Sequence, residues 1–147
     1  MYLTETDAII RLVVGAALGG LIGLEREFAL KPAGLRTYIL VSLGATLFMV
    51  CSLLIGNLVA STTGDIYDPS RIASTIVQGI GFLGGGVIFA ARGRVRGVTT
   101  AAGIWVAAGI GMATGAGFFL VAGVGTVIAL ITLRVLAWLE VDEHISD

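Results

Sequence analysis

From residue 37 onward the chain alternates long uncharged stretches with short polar breaks. Residues 37–64, 72–91 and 97–133 contain no Asp, Glu, Lys or Arg. A helix that crosses a bilayer needs roughly 20 apolar residues at about 1.5 Å each, and each stretch reaches that length. An earlier apolar run, 12–24, lies between Arg11 and Glu25. It covers only about 20 Å as a helix, so its span must take in Arg11, whose stem can carry the charge outward. Asp68 followed by Pro69, Ser70 and Arg71 reads as a helix start, with Asp as cap and Pro at the first helical position. The last stretch is too long for one crossing, and Gly115-Ala116-Gly117 offers a break. The pattern predicts an all-α, polytopic transmembrane helical bundle in one domain, 1–147. Its spans are expected at about 8–24, 37–59, 69–91, 98–114 and 118–139.

Composition agrees with this pattern. Apolar residues make up 56% of the chain and charged residues 13%, against about 25% charged in a soluble domain. Mean hydropathy is +0.99. The only cysteine is Cys51 and the only histidine, His144, lies in the polar tail. One cysteine can form neither an internal disulfide nor a thiolate metal cluster.

Charge placement gives an orientation. Arg26, Lys31 and Arg36 follow the first span, Arg92, Arg94 and Arg96 follow the third, and Arg134 ends the fifth. By the positive-inside rule these positions are cytoplasmic, which puts the N-terminus outside and the C-terminus inside. The 64–70 loop, with Asp65 and Asp68, then faces outward. Most of the 22 glycines fall inside the spans. In lipid, helices associate through close backbone approach at small residues. Gly15, Gly19 and Gly23 form such a ridge, and Gly81 with Gly85 and Gly111 with Gly115 offer similar contacts. Asp7 and Arg11 stand at i,i+4 and are expected to neutralise one another.

Catalytic motifs are absent or false. The GIGFLG string at 79–84 matches the dinucleotide fingerprint in letters. That fingerprint needs a preceding strand and an acid about 20 residues on, whereas this string lies in a span and no acid occurs between Asp68 and Glu140. A Ser–His pair has no histidine within the spans, and Asp65 and Asp68 share one short loop. No enzyme activity and no cofactor is expected. The candidate functional polar cluster is therefore the sparse charge and its neighbours: Glu25, Arg26, Glu27, Arg36, Thr37, Asp68, Arg71, Thr99 and Thr100. Each has a plain structural alternative. Glu25-Arg26-Glu27 can simply be a solvated helix end, against the functional reading in which one carboxylate at the membrane boundary pairs Arg36 or meets a cation. Asp68 and Arg71 can cap a helix as a local ion pair, and the threonine hydroxyls can return to backbone carbonyls.

Taken in order, several segments resemble the N-terminal membrane domain of the MgtC/SapB family. They are GGLIGLERE at 19–27, AGLRT at 33–37, Leu40-Val41, GATLF at 44–48, DPSRIA at 68–73, GIGFLG at 79–84, and VRGVTTAA at 95–102 with Trp105. The family usually has Gln where Thr75 stands, Ser at Gln78 and Ala at Gly85. Long members continue into a soluble cytoplasmic domain. Residues 140–147 are too few for one, so a short form without it is the expectation. The resemblance implies a multi-pass protein of the bacterial inner membrane, associated with adaptation to low magnesium and with survival in host cells. Some members of the family act on other membrane proteins, including the ATP synthase.

The expected function is modulation of magnesium, ion or membrane-energy homeostasis, with the lipid bilayer and either a homo-oligomer or a partner membrane protein as partners. The rival is a transporter or channel for a Mg²⁺-type cation or small solute, with a cation as ligand; a third reading is a scaffold without ligand. Mg²⁺ wants oxygen ligands and keeps its water, yet no acid lies at the centre of any span. No nucleic-acid partner is expected.

Overall fold

The computed structural model describes residues 3–64, 67–91 and 94–143, with side chains placed through Val135 except at Ala91 and Arg94. Its elements are α1 (Glu5–Phe28), α2 (Leu35–Thr62), α3 (Ser70–Val87), β1 (Phe89–Ala91), β2 (Arg94–Arg96), α4 (Val98–Ala116) and α5 (Phe119–Glu143). The bundle is all-α apart from one short hairpin. Among the described residues three helices, α1, α2 and α4, are long and apolar enough to cross a membrane, and α5 has a shorter apolar stretch, Phe119–Val135.

Helix ends explain where the observed spans depart from the expected ones. α1 starts three residues early because Thr4 and Asp7 form a capping box. The Thr4 hydroxyl accepts the Asp7 N–H at 3.2 Å and donates to Asp7 Oδ2 at 2.7 Å. This arrangement satisfies orphan donors that a helix start otherwise leaves bare. α1 therefore carries both Arg11 and Glu25 within its 24 residues, about 36 Å. α3 stops at Val87, short of the expected 91. Three glycines at 84–86 weaken the helix, and the β-branched and aromatic Ile88-Phe89 that follow favour strand. Phe89 pairs with Arg96 and Ala90 with Val95 in an antiparallel register. Gly97, at φ 88°, then turns the chain into α4. A side chain there would be strained in that conformation and would collide with the Val87 carbonyl.

α2 lies between α1 and α4. Every fourth residue along one stripe of α2, Tyr38, Ser42 and Thr46, is buried. The α1 ridge of Gly15, Gly19 and Gly23 packs directly on this stripe. A Cβ at Gly19 would lie 2.5 Å from Ser42 Cβ and 2.6 Å from the Tyr38 carbonyl, and one at Gly23 would lie 2.8 Å from Leu35 Cα. On the other side α4 brings Gly103, Gly111 and Gly115. A Cβ at Gly115 would lie 2.7 Å from Met49 Cβ, and one at Gly111 would collide with the Ser42 carbonyl. Hydrogen bonds join the three helices. Ser42 Oγ donates to the Gly15 carbonyl at 2.7 Å, and Thr46 Oγ1 reaches the Gly111 carbonyl at 2.9 Å and its own Ser42 carbonyl at 2.8 Å. α5 closes the bundle through buried Ala122 and Thr126.

α3 crosses beside this core. It begins near the Tyr67 ring, which packs on Gly56 of α2, and ends with Gly84 against Ala101 of α4. Its inner face is Ile76, Ile80 and Gly84. Gly81 and Gly85 do not share the packing role expected of them within the chain: nothing lies within 4 Å of a Cβ at either. They stand on the other side of the helix from Ile76 and Ile80, so the contact with α4 turns them outward.

Gly19→Leu is expected to prevent accumulation of folded protein, because the nearest obstacles, Ser42 Cβ and the Tyr38 carbonyl, cannot swing aside. Gly81→Ala should fold normally and melt slightly higher, by up to ~1 kcal/mol in stability. Melting temperature and monodispersity in detergent check both.

Candidate functional site

The last turn of α1 holds Glu25, Arg26 and Glu27. α1 ends through Leu30, at φ 53° in the left-handed region, with the Lys31 N–H donating to the Arg26 carbonyl and the Leu30 N–H to the Glu27 carbonyl. That turn brings the chain straight back into α2. Gly34 precedes α2 and has no side chain to cap it, so Glu27 does so from α1: its Oε2 accepts the Leu35 N–H at 2.9 Å. A carboxylate at a helix N-terminus also meets the positive end of the helix dipole.

Arg26 is buried to 3% exposure, directly one turn beyond buried Ile22. Its Nη1 lies 3.6 Å from Glu25 Oε2, an ion pair without hydrogen-bond geometry. Adjacent residues on a helix do not face one another, which accounts for the poor fit. Arg26 Nε and Glu25 Oε2 are buried with no hydrogen-bond partner. Such groups lose hydration without full compensation, so the pair is costly where it stands. Tyr38 lies within electrostatic reach of both charges. Its hydroxyl extends to the Thr100 carbonyl at 3.4 Å, in the first turn of α4. Thr100 is buried, Thr99 is exposed and Thr37 is half-buried. Arg36 is exposed, and no ion pair joins it to a carboxylate of the Glu25-Arg26-Glu27 turn among the described residues, where Glu25 pairs Arg26.

Asp68 and Arg71 lie at the other end of α3, about 27 Å of helix away. Both are exposed. Asp68 Oδ1 accepts the Ser70 N–H at 2.9 Å and so starts α3. The Ser70 hydroxyl and N–H, helped by the Arg71 charge, hold the Asp68 carboxyl below the usual carboxylate range. The two parts of the expected polar cluster are thus not brought together, and the expected Asp68–Arg71 ion pair is not among the contacts of the described residues. Among those residues no three His, Cys, Asp or Glu side chains gather closely enough to hold a metal ion. Asp65 lies outside the described residues, as do Arg92 and His144.

One charged residue does more than expected of it. Besides its electrostatic pull on Asp7, Arg11 donates from Nη1 to the Gly115 carbonyl at 2.7 Å. The orphan carbonyls at the end of α4, just before the Gly115-Ala116-Gly117 break, call for a cation at the negative end of that helix. A charge at the edge of one span and a glycine break in another are the sequence signals for it.

Removing the Glu25 charge strands Arg26. Glu25→Gln is expected to destabilise by on the order of 3 kcal/mol, and the double variant Glu25→Gln with Arg26→Met to return close to the parent, since apolar replacement of a buried pair is often neutral. Denaturation in detergent reads both. For Asp68 the depressed folded value means its stabilisation is full above the unfolded pKa of about 3.9 and is lost as pH falls through the folded value. Asp68→Asn should remove that pH dependence from the melting curve.

The MgtC family, as a family-wide sequence profile, matches residues 12–141. The Escherichia coli (strain K12) protein named "Putative magnesium transporter YhiD" is 44% identical over 129 residues, 88% of this chain and 60% of that protein. "Protein MgtC" of Brucella abortus (strain 2308) is 51% identical over 88 residues, 60% of this chain and 34% of its own length. "Protein MgtC" of Salmonella typhimurium (strain 14028s / SGSC 2262) is 45% identical over 97 residues, 66% of this chain and 38% of that protein. The chain therefore spans less than two thirds of each of these relatives. No solved structure matches it significantly.

Proposed function

This chain belongs to the MgtC family, and on that premise we propose that it modulates magnesium, ion or membrane-energy homeostasis in the bacterial inner membrane by docking on partner membrane proteins. The name of the Escherichia coli relative, "Putative magnesium transporter YhiD", supports the link to magnesium. The orientation proposed has the start of α1 outside and the end of α5 in the cytoplasm. It follows from the placement of Arg26, Lys31, Arg36 and Arg96 at one end of the bundle.

The observation that carries the docking reading is the outward stripe of α3. Arg71, Ser74, Gln78, Gly81 and Gly85 recur at alternating steps of three and four, and all are exposed. This is the seam spacing of packed helices. Gln78 lies midway along a helix that crosses beside the core, and its amide has no hydrogen-bond partner among the described residues. A bare amide facing hydrocarbon is costly, and a polar contact from a neighbouring helix relieves it. The glycines beside it leave room for that helix to approach. The reading is of a binding protein rather than an enzyme.

Transport is the second reading, favoured by the name of the Escherichia coli relative. One experiment separates the two. A photoreactive residue at Gly81 should crosslink to a membrane protein in cells, and Gln78→Leu should abolish that product while leaving the melting temperature unchanged. The same probe at Leu120, 81% exposed on α5, should give none. Equal products at both positions would sink the docking reading. Mg²⁺-selective flux through liposomes holding the purified chain would replace it with transport.

A further inference from the structure

At the Arg11 end of the bundle three elements enclose a pocket of about 560 Å³. Asp7, Ile10 and Arg11 come from the first turns of α1, Leu53 and Asn57 from α2, and Gly117 and Phe119 from the α4–α5 turn. The volume is in the range of small-ligand sites. The pocket differs from the groove between α2 and α3, about 520 Å³, whose lining is almost wholly aliphatic and aromatic.

The polar groups here are held in place and only partly used. Arg11 commits Nη1 to the Gly115 carbonyl and lies flat against the turn: a Cβ at Gly117 would come 2.8 Å from its Nη2. Gly117, at φ 88°, is thus required both for the turn and for the arginine. Among the described residues the remaining guanidinium donors have no acceptor. Asp7 Oδ2 is bound by Thr4, which leaves Oδ1 without a partner among the same residues. The Asn57 amide, half-buried, makes no hydrogen bond to any described residue. A guanidinium and a carboxylate one helical turn apart do not select a simple cation or a simple anion. They match a molecule that carries both charges.

We propose that this pocket binds the headgroup of a zwitterionic phospholipid bearing a primary ammonium, as in phosphatidylethanolamine. The phosphate lies on Arg11, where planar donors suit its oxygens. The ammonium donates to Asp7 Oδ1 and the Asn57 amide oxygen. A trimethylammonium has no N–H to donate, so phosphatidylcholine fits less well, and phosphatidylglycerol leaves Asp7 without a counter-charge. The membrane is the source favoured by position. The pocket sits where α1 begins and α4 ends, at the edge of the hydrocarbon, and exposed Ile10 and Phe119 form an apolar rim for the glycerol and upper acyl chain.

The test uses the full chain, delipidated in detergent and reloaded with phosphatidylethanolamine, phosphatidylcholine or phosphatidylglycerol of identical acyl chains. Retained lipid is counted by native mass spectrometry. Phosphatidylethanolamine should be retained at least tenfold over the other two. Asp7→Asn and Arg11→Gln should each lower that retention about tenfold. Asn57→Leu breaks no hydrogen bond among the described residues, so it keeps the test decisive if Arg11→Gln loosens the α4–α5 turn; it too should lower retention with an unchanged melting temperature. Equal retention of the three lipids, or retention untouched by Asn57→Leu and Asp7→Asn, overturns the proposal. Free O-phosphoethanolamine should displace the lipid only in large excess. Binding of that soluble compound in place of the lipid would overturn the membrane source.

Discussion

The close approach of α1 and α4 to the two sides of α2 is the contact on which the rest of the bundle depends. Lipid tails are as apolar as leucine, so burial of hydrocarbon gives these helices little reason to associate. What remains is dispersion between atoms brought near contact and hydrogen bonds between backbones and side chains. Glycine supplies both. At Gly15 and Gly111 the missing side chain lets α2 come close, and the uncovered carbonyl then accepts from Ser42 or Thr46. Such bonds contribute only about 0.6 kcal/mol each on average. Their value lies in register, because Ser42 and Thr46 meet their carbonyls at one sliding position of the helices.

That packing decides where charge can go. The interior between α1, α2 and α4 is closed by small residues and by threonines whose hydroxyls return to carbonyls one turn back, as at Thr114 and Thr126. Ionised groups are left at the two ends, where they serve helix termini. Glu27 caps α2 and Arg11 caps α4, each with the sign that the local helix dipole favours. Arg26 is the exception. It is buried beside Tyr38 with a poorly fitting carboxylate, an arrangement that packing alone does not require.

α3 stands apart for the same reason. Its one packed face uses Ile76, Ile80 and Gly84, and its other face carries exposed Ser74, Gln78, Gly81 and Gly85, where the serine hydroxyl returns to the Arg71 carbonyl and nothing among the described residues lies within 4 Å of a Cβ at either glycine. In water such a face would be an ordinary exposed surface. The docking function proposed above draws on this contrast between a closed α1–α2–α4 core and an exposed α3 face.

The sequence by itself determined the all-helical class, the five helices and the α1 glycine ridge, because unbroken apolar length and i+4 spacing are local properties that survive any packing. The resemblance to the MgtC/SapB family rested on contiguous strings and was likewise readable without coordinates. Partners were not readable. Gly81 and Gly111 look alike in sequence, yet one faces open space and the other the Ser42 carbonyl. Which glycine meets a neighbour depends on the rotation of each helix about its axis, set by the whole bundle. Arg11 was expected to interact with Asp7 four residues away and in addition reaches Gly115, 104 residues on. The burial of Arg26 has the same origin. Each depends on what the chain brings alongside from a distance, and only the tertiary structure decides that.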